Sequence, residues 1–206
     1  MLAGYRGTPY QQPQAIPGRV HCAYYDRGGE GVAFHDTTPV NQGSGRLNPA
    51  DGTALDRFRM DEAVDISYTK GTRMVDGALT AFDNSEFNRV APPMDQLYVG
   101  WTEPGEWFNC TIEVARNGSY AADLLYTSRH GGAISLSIDG ADATGPLPIE
   151  STEDGRDPLA WRQWHHWNVA RDLARIRLAA GVHVLTLHTR ERGQMNYAYL
   201  DFRDAD

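Results

Sequence analysis

The stretch "TIEVARNGSYAADLLYTSRHGGAISLSIDG", Thr111 to Gly140, decides how this chain is read. Its first segment puts Ile112 and Val114 on one side of an extended backbone. Its last puts Ile134, Leu136 and Ile138 on one side and ends in a turn at Asp139-Gly140. Apolar residues at alternate positions mark half-buried strands, because successive side chains of a strand point to opposite faces. Asn117-Gly118 and Gly131-Gly132 are turn signals between the segments. Moving outward, "GVHVLTLHT" repeats the pattern less cleanly through Val182, Val184, Leu185 and Leu187, and "MNYAYLDF" reads as a final strand. "DLARIRLA" fits a helical turn or, through Ile176 and Leu178, a strand. Long helical periodicity is missing. Short strands separated by turns predict an all-β chain, an antiparallel β-sandwich.

The 206 residues suit one large domain with a proper core. A net charge of −8 argues against a nucleic-acid surface, which needs a clustered basic face. No apolar run approaches the roughly 18 residues of a membrane span. Residues 1–15 read as a polar lead-in or linker remnant rich in Gln and Pro, without the pattern of a secretory signal. Residues 16–206 read as the domain, with insertions near 41–56, 74–93 and 145–161. Cys22 and Cys110 allow at most one disulfide; free buried thiols are the expectation and a bridge the alternative.

The chemical motifs are mostly negative. "RGGEGVAF" lacks the ending of a phosphate-binding loop and reads as a tight turn between strands. His165 and His166 are adjacent, so on a strand they point to opposite faces, and no histidine spacing matches a metal pattern. Glu103 and Glu106 flank a Pro-Gly turn. Aromatic density stands out instead: Trp161, Trp164 and Trp167 recur every third residue in "WRQWHHW". On a strand such steps alternate faces, so the three cannot all be core. Exposed aromatics beside amides and carboxylates suit sugars, whose CH faces stack and whose hydroxyls hydrogen-bond.

Read in order, "IPGRVHCAYYDRGGEGVAFHDTTP" (16–39), "RMDEAVDI" (59–66), "YVGWTEPGEWFNCTIEVARNGSYAADLLYTS" (98–128), "WHHW", "LAAGVHVLTL" and "MNYAYLDF" resemble the family 6 carbohydrate-binding modules and their close relatives. The resemblance implies a jelly-roll that binds polysaccharide without catalysis, usually appended to a secreted glycoside hydrolase. It implies a cleft among loops at one end of the sandwich. Asn196 matches the family's hydroxyl-binding Asn, and Phe34 stands where a Tyr is frequent. The loop "YTSRHGG", where a stacking Trp is usual, offers Tyr126, Arg129 and His130, with Trp161 as a substitute from an insertion. Trp101, Trp107, Trp164 and Trp167 match framework positions. The family's structural calcium is held by a Glu-x-Glu and an Asp; here His21 and Ala23 replace both glutamates, and Asp201 alone matches, which leaves one carboxylate with backbone carbonyls for a weakly bound calcium ion.

The expected site is therefore Phe34, Tyr126, Arg129, His130, Trp161 and Asn196. The partner is a plant, algal or microbial polysaccharide, with a catalytic domain of the same parent chain, no nucleic acid and no membrane, and the location is extracellular. Two alternatives stand beside this: a jelly-roll enzyme using Glu150, Asp154 or Asp157 from the inserted loops, and a structural domain packing on a catalytic partner.

Overall fold

The structure, a computed structural model, describes residues 4–44 and 53–205. In chain order the strands are β1 (Gln14–Ile16), β2 (Gly18–His21), β3 (Phe34–His35), β4 (Ile66–Tyr68), β5 (Arg73–Val75), β6 (Ala78–Thr80), β7 (Leu97–Thr102) and β8 (Trp107–Val114). They continue as β9 (Gly118–Ser128), β10 (Gly132–Ile138), β11 (Ala141–Asp142), β12 (Leu147–Ile149), β13 (Asn168–Leu178), β14 (Gly181–Glu191) and β15 (Met195–Asp204). Two sheets face each other. The first runs β1-β8-β14-β10-β11, with β3 on β8 and β12 on β10; the second runs β13-β9-β15-β7-β4, with β2 on β15. Apart from β1, which lies parallel to β8, the named pairs within both sheets are antiparallel. This is the antiparallel sandwich expected from the alternation, in the jelly-roll form that the resemblance implies.

The core follows from that alternation. Ile112, Val114, Ile134, Leu136, Leu185 and Leu187 of the first sheet meet Tyr120, Ala122, Leu124, Tyr126, Tyr197, Leu200 and Phe202 of the second in one apolar cluster. The chain turns from β9 to β10 at Gly131-Gly132, where a Cβ on Gly132 would lie 2.2 Å from the Glu191 carbonyl oxygen. Only glycine permits that approach at its φ of +137°. "DLARIRLA" is strand through Leu178, the C-terminal part of β13.

Two segments are arranged otherwise than the sequence reading expects. Within "RVHCAYYD", which can be read as one strand, β2 stops at His21, because Cys22–Tyr24 form a 3-10 turn that buries Cys22 and Ala23. Residues 4–15 are joined to the domain: Thr8 pairs with Arg27, the Tyr5 hydroxyl donates to Asp26, and Gln14 opens β1. Of the insertion at 41–56, residues 45–52 lie outside the described residues. Cys22 and Cys110 are both buried free thiols.

The second sheet is covered on both faces. Tyr98, Leu125, Ala198 and Tyr199 point away from the core and form a second apolar cluster with Trp167 and Val90. Part of this cover comes from the insertion at 74–93 and from Trp167, which follows the insertion at 145–161, and the two are bonded to each other there. The Trp167 carbonyl accepts from the backbone N–H groups of Arg89 and Val90, while Trp167 donates to Asn88 from its backbone and to Asp83 from its indole.

Candidate functional site

A cavity of about 530 Å³ opens on this outer face, lined among others by Ser67, Tyr98 and Trp101 from the sheet side, Lys70 just before one insertion with Phe82 and Asp83 inside it, and Trp161 at the end of the other with Trp164 and His165 just after it. Its size lies within the range of small-molecule sites, roughly 300–1,000 Å³.

The sheet side depends on a bulge. Met195 pairs with Thr102 and Tyr197 with Val99, so Gly100 and Trp101 of β7 oppose the single residue Asn196 of β15. Trp101 takes a φ of +49°, and a Cβ on Gly100 would stand 2.9 Å from the Asn196 side-chain oxygen. Bulges of this kind re-aim a side chain; here the indole of Trp101 turns to the cavity.

Asn196 is the peg beneath. It is fully buried. Its Oδ1 accepts the Trp101 backbone N–H at 3.0 Å, so its Nδ2 is the donor, reaching Thr127 Oγ1 at 2.8 Å and facing His165 Nδ1 at 3.5 Å. That orientation makes Nδ1 of His165 an acceptor and places the ring proton on Nε2. Burial, reinforced by the charges of Lys70 and His166, holds the imidazole down to about 3, so it is neutral near pH 7. His165 packs against Trp164, with ring centroids 4.0 Å apart.

The far wall explains the three-residue spacing of tryptophans. Residues 160–164 are turns rather than strand, with Arg162 N–H bonded to Leu159 O and His165 N–H to Arg162 O. In such i, i+3 turns the third residue returns to the same side, so Trp161 and Trp164 both reach the cavity while Trp167, where the chain re-enters a strand, is fully buried. Behind this wall Asp157 accepts two bonds from Arg162, at 2.6 and 2.9 Å, and one from His166 at 2.9 Å. All three side chains are buried. Burial raises the Asp157 carboxyl, but the bonds from Arg162, the Leu159 N–H and His166 outweigh it and hold it at about 2. Asp83 is also committed, accepting from the Lys70 backbone N–H and the Trp167 indole; burial raises its carboxyl above the usual range. The Lys70 ammonium donates to Ser67 Oγ and the Tyr68 carbonyl.

The expected site residues are scattered. Trp161 stands at the cavity with 47% of its surface exposed, and Asn196 lies under it. Phe34 is buried edge-on against Tyr25, at a separate open cleft of about 560 Å³ shared with Glu30, Asp36 and Glu62. Tyr126 is buried in the core, its hydroxyl bonded by Asn168. Arg129 and His130 are exposed and line neither space; His130 lies 3.9 Å from Glu153. The sequence reading missed Phe82, Tyr98, Lys70 and His165 as lining, and it assigned Trp101 and Trp164 to the framework. The third-residue spacing of tryptophans was the one signal available.

The carboxylates of the enzyme alternative do not line the cavity. Asp157 is the buried anchor just described, Asp154 is held by Arg156 of its own turn, and Glu150 is exposed 3.6 Å from Arg89. The residues at the family's calcium position do not fit that ion: the His21 ring lies against Tyr24 and Tyr199, and Asp201 accepts from Arg19. Calcium needs several hard oxygen ligands. Among the described residues, no group of three or more His, Cys, Asp or Glu side chains is placed to hold a metal.

No protein-family model and no curated protein sequence matches this chain. Solved structures do. A family 6 carbohydrate-binding module from Clostridium stercorarium, solved with cellobiose, is 11% identical with a TM-score of 0.54, over 94% of this chain and 98% of that one. A β-1,3-glucan-binding family 6 module from Bacillus halodurans is 14% identical with a TM-score of 0.53, over 93% and 99%. A family 43 arabinoxylan arabinofuranohydrolase from Bacillus subtilis, solved with cellotetraose, is matched over 94% of this chain but 28% of its own length, at 12% identity and a TM-score of 0.50. At such identities the likeness speaks for architecture, and the chain has the β-sandwich fold of the family 6 carbohydrate-binding modules.

Proposed function

We propose that this chain is a non-catalytic carbohydrate-binding module and that the cavity under Trp161 receives the sugar. The observation that carries this reading is the lining itself: three indoles, Phe82 and Tyr98 surround a space that also holds His165, Lys70 and Ser67. Aromatic faces take the CH face of a pyranose, and the N–H and O–H groups take its hydroxyls. Absence of catalysis is supported by the carboxyl groups. Glycosidases of the usual kind need two facing each other across the scissile bond, and Asp83 is the one carboxylate in the described lining, with both oxygens already bonded inside the protein.

The ligand class is a plant, algal or microbial polysaccharide or a fragment of one. The hydrolase of which a comparable domain forms 28% supports reading residues 4–205 as one accessory domain of a secreted carbohydrate-active enzyme. Retardation in native gels containing glucans, xylan, agar or mannan tests the function. The wild type is expected to be slowed on at least one polymer, and Trp161→Ala to migrate freely on it. A folded wild type that no polymer retards would overturn the reading.

A further inference from the structure

His166 stands behind the wall that carries Trp161, Trp164 and His165, and only 1% of its surface is exposed. Its Nδ1 lies 3.0 Å from the Thr152 carbonyl oxygen and its Nε2 2.9 Å from Asp157 Oδ2. Both neighbours are acceptors. A neutral imidazole has one N–H and one lone pair, so either tautomer would press a lone pair against a buried oxygen. Turning the ring over would put carbons where the nitrogens stand and leave both acceptors without a donor. Only the doubly protonated ring makes both bonds. The surroundings suit that charge. Asp157 is the facing anion, shared with Arg162 of the same loop, and Asp154, held by Arg156, adds a second negative charge nearby. His165 next to it is neutral, and from the other insertion Phe87 stacks on the ring with centroids 5.5 Å apart.

The two bonds of His166 close a loop. Thr152 is fixed to the end of β9: its backbone N–H donates to the Ser128 carbonyl, and its hydroxyl accepts from the Ser128 N–H. Asp157 caps the turn at Leu159 and, through Arg162, reaches the Ala81 carbonyl of the other insertion. His166 bonds both anchors at once, and Trp161 and Trp164 stand on the chain between them. We infer that His166 is a positioning residue that, as the imidazolium cation, locks the tryptophan wall, so that the cavity keeps its shape while the ring holds both protons and loosens when it gives one up. Loss of either proton turns one bond into a lone pair facing a buried oxygen, and an unmade bond there is costly. The lock is present on the acid side of the ring's titration and is lost as pH rises through it. It does not depend on what fills the cavity; its effect on a ligand rests on the carbohydrate reading above.

Nitrogen-15 NMR of the histidine rings, followed from about pH 5 upward to the loss of a proton from His166, reads the lock directly. Both His166 nitrogens are expected to carry protons on the acid side, and the Trp161 and Trp164 indole resonances to shift at the same midpoint as the ring. Calorimetric titration with cello-, laminari-, xylo- and mannotetraose is expected to show, for any that binds, a fall in affinity of about tenfold across that midpoint. His166→Gln, neutral at every pH, is expected to hold the weaker affinity throughout and to lose the step. A merely structural role would lower affinity and leave the step in place. A ring with one bare nitrogen from the start, indoles indifferent to its titration, unfolding of the whole chain at that point, or a step that survives in His166→Gln would overturn the inference. Should the variant not fold, the wild-type resonances decide. Failure of all four oligosaccharides to bind would count against the carbohydrate reading, while the ring and indole resonances would still decide the lock.

Discussion

The two faces of the β13-β9-β15-β7-β4 sheet are built by different rules. Toward the first sheet, Leu124, Tyr126, Leu200 and Phe202 follow the strand period and fill one continuous apolar core. Toward the insertions, the apolar cluster of Tyr98, Leu125, Ala198 and Tyr199 ends at Gly100, Trp101 and Asn196, and polar bonds take over. One face is made by burial of surface, which is non-directional and tolerant of sequence. The other is made by directed hydrogen bonds between loops, which tolerate few substitutions but can hold a cavity open. The sandwich supplies the stability, and the outer face spends its residues on shape.

The comparison breaks first at the core. Leu124→Ala is expected to cost about 3 kcal/mol in urea unfolding, with any sugar affinity measured on the remaining folded fraction unchanged. A similar loss of affinity in that fraction would mean the two faces are not independent. Asn196→Ala is expected to cost about 1–3 kcal/mol, because the Trp101 N–H and Thr127 hydroxyl lose a buried partner, and to weaken sugar binding as well through Trp101 and His165. Here stability and affinity should fall together, which marks Asn196 as the joint between the faces.

A third test lies at the edge of the same sheet. Asp65, just before β4, is pushed up to about 7 by burial, with the nearby carboxylates of Asp36 and Glu106 adding to the rise against a bond from the Gln42 N–H. An unfolded aspartate releases its proton near 3.9. Between those values the folded chain holds the extra proton, so this group's contribution to stability is complete below about pH 3.9 and is lost as pH rises to about 7. Asp65→Asn is expected to flatten that part of the stability profile, raising stability more at pH 7 than at pH 4. An unchanged slope would show that Asp65 is ionised in the fold. The smallest expected effect on folding is that of Trp161→Ala, within about 0.5 kcal/mol because half the ring is already in solvent. A large loss would make Trp161 a structural wall rather than a ligand surface.

Much of the fold was legible because strand alternation is local: Ile134, Leu136 and Ile138 declare a buried face without reference to any partner. The cavity was legible only in outline. Trp161 was identifiable as an aromatic among polar neighbours, and Asn196 by resemblance. Phe34 was misplaced because a glycine-dense turn does not say which way it delivers its next residue; the chain turns Phe34 inward onto Tyr25. The spacing of Trp161, Trp164 and Trp167 was read on a strand, where three-residue steps diverge. The backbone there is a run of turns, where they converge.

From residue order alone come the all-β class, the sheet-forming segments, the acidic net charge of −8, and the replacement of two glutamates at the position that resembles the family's calcium site. The tertiary structure decided where the aromatic residues meet. Trp101 faces the cavity because a bulge opposite Asn196 rotates it out of strand phase, and Phe82 meets Trp161 although 79 positions separate them in the chain. A period is a property of neighbouring bonds and can be read along the chain. A contact between two insertions depends on how each is seated on the sheet, and no local pattern encodes that.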